Sequence, residues 1–562
     1  SESRSKLVTV LHPIICSLLP TMSAFAKDVI IDESELENGF SALEIFSNAE
    51  CLGITFDDLI TLPGEIDFSV EDVGLQSKLT KNIKLNFPLC SSPMDTVTEH
   101  SMAIGMALNG GIGIIHANCS IEEQVAMVQQ VKMYENGFIM NPAVLSPNDV
   151  VSDLDILRKE RKISGVPVTI DGKHGSKLVG LISNRDTDFL DNRTASISEL
   201  MTPIDKLVTG KYPISIEEAN NILRESKKGY LPLVDEEGNL RALTTRSDLK
   251  KNKAHPMATK SASGKLLVGA AIRATALDEV DMFRVECLHE AGCDVIVLDA
   301  QNGDCDTQVE YIKEIKARFP QLDVIAGNVV RSAQAKKLLD AGADGLRVGM
   351  GVGSIATTQV VKAVGRAQLS CIYACARIAK SYGVPVIADG GIKNTGCLIK
   401  ALSIGASVVM MGHLLAGVEE SPGEYFFQNG ARLKNYRANF TGLPPPVATI
   451  STPARPSRKS HSPSRGGRGK DAESAASASL AQTRLVASGV SGTVIDKGPL
   501  NRYIPYLLQS IRHGMQDMGT RSIEDLHDQM YAGKLRFELR SSSAQKEGGV
   551  HDLHSFSQRL YA

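Results

Sequence analysis

The chain has 562 residues, 22% charged and 43% hydrophobic, which is enough apolar material for more than one core and excludes a chain disordered throughout. Lys and Arg number 61 against 64 Asp and Glu, a net charge of −3, which excludes a global polycation built for nucleic acid. No run approaches the ~20 apolar residues of a membrane span, and the ten cysteines contain no C-x-x-C, so a zinc knuckle or a thioredoxin-type site has no support.

In chain order, residues 7–20 (LVTVLHPIICSLLP) precede Ala24-Phe25-Ala26 in the outline of a secretory signal. His12, Pro13 and Pro20 break that apolar run, so residues 1–44 are expected to be a flexible leader to a reduced, cytoplasmic α/β protein. Two short apolar runs follow, PLCSSPMD (88–95) and GIGIIHA (111–117). Residues 138–252 then carry a two-fold repeat. One copy reads SGVPVTIDGKHGSKLVGLISNRD (164–186), the other KGYLPLVDEEGNLRALTTRSD (228–248). Each ends in a hydroxyl three residues before a carboxylate, Ser183 with Asp186 and Thr245 with Asp248, which suits a phosphate beside a ribose. The repeat resembles a tandem CBS module, which implies adenine or guanine nucleotides as ligands.

From 266 to 412 six β-branched runs alternate with helical stretches such as AQAKKLLDAG (333–342): LLVGAAI (266–272), DVIVLDA (294–300), DVIAGNVV (323–330), GLRVGMG (345–351), VPVIADGG (384–391) and ASVVMMG (406–412). Alternating strands and helices predict a parallel sheet. With the two earlier runs the strands number about eight, which predicts an α/β fold of the (β/α)8 TIM-barrel type, residues 45–137 and 253–440, with the repeat inserted. Asp299, Asn328, Arg347, Asp389, the pair Gly390-Gly391 and Gly412 fall where strands give way to loops, the functional face of such barrels. Glycines there let a phosphate approach backbone N–H groups, and Asp389 suits a sugar diol. A compositional break follows. Pro444-Pro445-Pro446 opens it, and 451–470 (STPARPSRKSHSPSRGGRGK) holds six Lys/Arg and no acid. Residues 441–487 are therefore expected to be a disordered insert, with RNA as a conceivable partner. Residues 488–562 complete the barrel.

TFDDLITLPG (55–64), SSPMDTVTE (91–99), GGIGIIH (110–116), LRVGMGVGSI (346–355), GVPVIADGGI (383–392), PGEYFF (422–427), GVSGTVIDKG (489–498) and SSAQKEGGVHDLHS (542–555) together resemble inosine-5′-monophosphate (IMP) dehydrogenase. The resemblance implies a two-step reaction of IMP, NAD and water to XMP and NADH. A cysteine thiolate adds to C2 of IMP, hydride passes to NAD, and a mobile flap then activates water to hydrolyse the adduct. It implies contacts to IMP from Ser92, Met94, Arg347, Ser354, Asp389, Gly390, Gly391, Gly412, Tyr436 and the Ser488-Gly489 pair. It implies NAD beside Asp299, Asn328 and Gly349, and a potassium ion (K+) on the backbone carbonyls of Gly351, Gly353 and Ala356. Glu547, Gly548 and Gly549 match a metal-site segment supplied by a neighbouring subunit, so a homotetramer is expected.

The departures sit at the chemistry. The family's G-S-x-C-x-T loop reads Gly353-Ser354-Ile355-Ala356-Thr357-Thr358, so the nucleophile position is Ala356, with Thr358 kept. A methyl group has no lone pair and no ionisable proton. Residues 441–487 contain no Arg-Tyr, the pair whose arginine activates water in the family flap. R-G-M-G becomes Arg437-Ala438-Asn439-Phe440, the base-edge Gln or Glu becomes Ser488, and a phosphate-binding serine becomes His413, able to meet a phosphate as a cation but not with the serine's geometry. The expectation is a nucleotide-binding, catalytically impaired homologue, alone or in a mixed oligomer with an active paralogue. An active enzyme whose sequence is altered or misassembled around 356 and 438–488 stays open, as does a nucleotide-sensing or RNA-associated regulatory subunit.

Overall fold

The computed structural model describes residues 52–134, 138–139, 142–161, 163–246, 253–274, 279–438 and 489–556; the leader, the 441–487 insert, Asp248 and Ser488 lie outside them. Eight parallel strands close into a barrel: β1 (Leu89–Ser91), β2 (Ile112–Ile115), β3 (Gly269–Arg273), β4 (Val295–Asp299), β5 (Asp323–Val329), β6 (Gly345–Val348), β7 (Val386–Asp389) and β8 (Val408–Met411). The ring closes where Met411 of β8 lies opposite Ser91 of β1. These strands are buried on both faces, which is why they read as unbroken apolar runs rather than alternating ones. Cys90, Ile112, Ile114, Ala271, Val295, Val297, Ile325, Ile387, Val408 and Met410 fill the interior. Their neighbours Ile115, Ala270, Ile296, Leu298, Val324 and Ala326 pack outward. The strands are shorter than the runs that predicted them. β6, for example, stops at Val348 because Gly349 and Gly351 take positive φ angles of 139° and 74° and turn the chain away.

A hairpin (Ser77–Lys78 with Lys84–Leu85) closes the N-terminal end of the barrel. Leu79 and Leu85 join the interior cluster, each contributing about 2 kcal/mol by burial. The hairpin is fastened to Asp323, the first residue of β5, by Thr80 and by Asn82 Nδ2 at 2.7 Å. The other end of the barrel is left for chemistry.

Between β2 and β3 the sequence repeat reappears as a structural one. Gly165–Thr169 pairs antiparallel with Leu178–Ser183, and Tyr230–Val234 with Leu240–Thr245, each ladder slipping register at its fourth residue. The two copies exchange hydrogen bonds, Leu178 N–H to Gly238 O (3.1 Å) and Leu240 N–H to Ser176 O (3.0 Å). After β8 a three-stranded antiparallel sheet, β9 (Phe426–Gln428), β10 (Ala431–Arg437) and β11 (Ser491–Ile495), follows, with Tyr436 opposite Gly492.

Candidate active site at the C-terminal end of the barrel

Pleat alternation points Asp299, Arg347 and Asp389 inward near the ends of β4, β6 and β7, and a break in the β5–β6 register between Gly327 and Val329 brings Asn328 to the same cluster. Arg347 of β6 donates through Nη1 to Asp299 of β4 at 2.5 Å and through Nε to Asp389 of β7 at 2.9 Å. Burial disfavours the guanidinium charge, but Asp389 and Asp299 outweigh it and raise the pKa of Arg347. Asn328 of β5 donates to Asp389 Oδ2 (3.0 Å) and Gly349 O (2.7 Å), while its own Oδ1 is buried without a donor. Gln368 ties β6 to β7 from behind, donating to Val348 O and Asp389 O at 3.0 Å each. Gly349 has to be glycine, because a Cβ there would sit 2.1 Å from Asp389 O.

Beside this charged cluster the loops after β6, β7 and β8 form a cradle of unused amides. Among the described residues no hydrogen bond is made by the N–H groups of Gly390, Gly391, Gly412, His413 or Leu414. A Cβ on Gly390 would lie 3.0 Å from Val352, so the β6 and β7 loops touch. A Cβ on Gly412 would lie 2.8 Å from Tyr436 Oη and 3.2 Å from Met94 Sδ. Tyr436 is 5% exposed, points its hydroxyl at Met94 Sδ (3.9 Å), and is pushed up to about 12 by burial, so that hydroxyl keeps its proton as a donor. Ser92 is buried, its N–H on Met411 O at 3.1 Å. The ring of His413 lies 5.9 Å from that of Tyr436, and burial, then the charge on Lys497, lower its pKa.

The loop after β6 places Ala356 against Gly489 as an antiparallel bridge, with Val490 N–H on Ile355 O at 3.0 Å. A Cβ on Gly353 would lie 3.8 Å from the Ala356 methyl. Thr358, next but one, is buried at the start of a short helix, Thr358–Lys362. No thiol stands in this loop. Cys90, inside the barrel, is fully buried and its pKa is raised by that burial, so it is a thiol and not a nucleophile.

Other assigned residues are placed apart. The segment Glu547-Gly548-Gly549 spans the end of helix Ser542–Glu547, whose Gln545 donates to Asp58 and whose Ala544 O accepts from Arg540. Ser183 and Asp186 engage each other (Ser183 Oγ to Asp186 Oδ2, 2.8 Å) as a helix-capping box, and Thr245 ends the matching strand of the second copy.

Sequence reasoning missed a rim above the cluster. Arg437 of β10 grips Asp95 of the β1 loop, Nη2 to Oδ2 at 2.8 Å and Nε to Oδ1 at 3.3 Å. Asn118 donates to Asp95 at 2.7 Å and accepts from Arg273 at 3.0 Å, linking the β1, β2 and β3 loops. His116 Nδ1 accepts the Asn118 amide, which puts the ring proton on Nε2, 3.7 Å from Glu99. Asp95 and His116 both lie within the quoted motifs, so their position after strands was the available signal.

A family model, "IMP dehydrogenase / GMP reductase domain", matches residues 53–551. The chain belongs to this family. It is 51% identical to the inosine-5′-monophosphate dehydrogenase of Toxoplasma gondii, over 94% of this chain and 100% of that one. It is 45% identical to the Schizosaccharomyces pombe enzyme of the same name, over 95% and 98%. Among solved structures, a cysteine-to-alanine variant of GMP reductase from Trypanosoma brucei in complex with guanosine 5′-monophosphate is 34% identical, covers 90% of this chain and 99% of its own, and superposes with a TM-score of 0.73. GMP reductase from the same organism in complex with guanosine 5′-triphosphate is 31% identical, covers 89% and 100%, and has a TM-score of 0.66. Family membership accounts for the motif order along the barrel. No described helix is long and apolar enough to cross a membrane.

Proposed function

We propose that this chain is an IMP dehydrogenase-type protein of guanine nucleotide biosynthesis that binds a purine mononucleotide at the open end of the barrel and turns it over at a negligible rate. The observation that carries the reading is the contrast within one site: among the described residues the amides of Gly390, Gly391, Gly412, His413 and Leu414 stand unspent near Tyr436, while the nucleophile position is Ala356. Loss of a covalent nucleophile costs about 10⁴–10⁶ in rate where it has been isolated in hydrolases. A relative, a cysteine-to-alanine variant of GMP reductase, is described in complex with guanosine 5′-monophosphate, which supports a purine mononucleotide as the ligand.

NAD would supply the hydride acceptor. The residues present fit it: the unpartnered Asn328 Oδ1 and the partly exposed carboxylate of Asp299 offer acceptors for carboxamide and ribose donors, with Gly349 beside them as the acceptor of the Asn328 amide. Potassium would rest on the carbonyls of Gly351, Gly353 and Ala356. Gly351 O accepts from Gln359 Nε2 (3.1 Å) and Gly353 O from the Ala356 amide (3.0 Å), each leaving a second lone pair. In this reading the repeat between β2 and β3 is a CBS pair taking adenine or guanine nucleotides. The assembly is then a cytoplasmic homotetramer or a mixed oligomer with an active paralogue. The test is calorimetric titration with IMP beside an NADH assay with IMP, NAD and potassium. Micromolar binding without NADH supports the reading, and multiple turnovers by the unmodified chain overturn it.

A further inference from the structure

The excursion that follows β8 is held from behind by two buried ammonium groups. Lys497, 9% exposed, donates to His413 O at 2.6 Å and Leu414 O at 2.9 Å. Lys434, 2% exposed, donates to Val418 O (3.0 Å), Glu419 O (3.2 Å) and Ser421 O (2.6 Å). Five carbonyls of residues 413–421 therefore face cations drawn from the stretch after β11 and from β10. Burying two lysines costs free energy unless each finds partners, so a loop built this way is being held to a fixed shape.

The shape matters at its first residues. Leu415 and Ala416 donate to Gly412 O at 3.1 and 2.9 Å, so a helical turn starts at Gly412 with the preceding amides unspent. A peptide unit is planar, and its C=O and N–H point in opposite directions. Anchoring His413 O on Lys497 therefore turns the Leu414 N–H to the side away from the ammonium. The ammonium also lies at the carbonyl end of these dipoles, where a cation favours an anion at their N–H end.

We infer that Lys497 is a positioning residue for the phosphate of the bound nucleotide: through the carbonyls of His413 and Leu414 it aims the amides of the turn after β8 at the dianion, with Lys434 anchoring the far end of the loop. The inference rests on the nucleotide-binding reading above and deepens it. It also explains how the cradle stays usable with His413 where the resemblance implies a serine: the backbone and the charge behind it do the binding.

The test compares affinities for IMP and for inosine, which lacks the phosphate, in the full chain. In Lys497→Met the preference for IMP over inosine falls by about tenfold or more, inosine affinity stays as it was, and Lys497→Arg keeps most of the preference. A purely structural role would weaken both ligands together. Should Lys497→Met not fold, Lys497→Arg and Lys497→Gln are compared: preference kept by Arg and lost by Gln supports the inference. IMP binding with the preference intact in Lys497→Met or Lys497→Gln overturns this inference alone, whereas no IMP binding by the unmodified chain overturns it together with the functional reading.

Discussion

Arg347 Nε lies 2.9 Å from Asp389 Oδ2, and the same guanidinium reaches Asp299 at 2.5 Å with its other arm. The two carboxylates are not equivalent, since Asp389 is 15% exposed and Asp299 29%. Removing a partner from a buried charge leaves it uncompensated. Asp389→Ala should therefore cost about 3 kcal/mol of stability in urea unfolding, and Asp299→Ala less, because water reaches its side of the cluster. Equal costs would show that the cluster is wetter than its geometry indicates.

Tyr436 bridges the β6 and β8 loops through one hydroxyl, near Ser354 and Gly412. That hydroxyl points at a weak acceptor, Met94 Sδ at 3.9 Å, so little is lost in the free protein. Tyr436→Phe should leave the melting temperature within about 2 °C and weaken IMP binding by more than about tenfold, the ~1.5–3 kcal/mol of one hydrogen bond to a charged group. Unchanged affinity by calorimetry would remove Tyr436 from the cradle.

His527 fixes the outer helical layer by donating from Nε2 to Leu402 O and Ala406 O at 3.1 and 3.0 Å. Burial first, against the smaller help of those carbonyls, lowers its pKa below the ordinary 6.5. The unfolded chain then binds the proton more readily. The stabilisation is complete above that ordinary value and is lost as pH falls through the depressed one. Tm measured from pH 7.5 to pH 5 should fall less steeply in His527→Gln, which keeps a donor but does not titrate. Parallel slopes would contradict the assignment.

Ala356→Cys restores the sulfur but not the flap, whose Arg-Tyr pair has no counterpart between 441 and 487. The expected outcome in a rapid-mixing NADH assay is a burst of no more than one equivalent per chain, followed by slow or no further turnover. Steady turnover at an ordinary enzymatic rate would show that the water-activating function survives elsewhere.

The barrel was legible because parallel strands buried on both faces leave runs such as DVIVLDA, and because Asp299, Arg347 and Asp389 end such runs in step. What the runs hid was pairing at long range. Arg437 meets Asp95 across 342 positions, and Lys497 meets His413 across 84, contacts that no local period encodes. The downward pKa shift of His413 was hidden for the same reason, because it depends on burial and on Lys497. Ala356 was legible from the loop itself, since chemistry that needs a lone pair cannot be recovered by packing.

Intact-mass spectrometry of the unmodified chain, after incubation with IMP, NAD and potassium and rapid acid quenching, tests the central claim most directly. The account predicts the mass of the bare polypeptide although IMP binds. A purine nucleotide attached to the peptide that carries Ala356, or to any thiol of the barrel mouth, would contradict it.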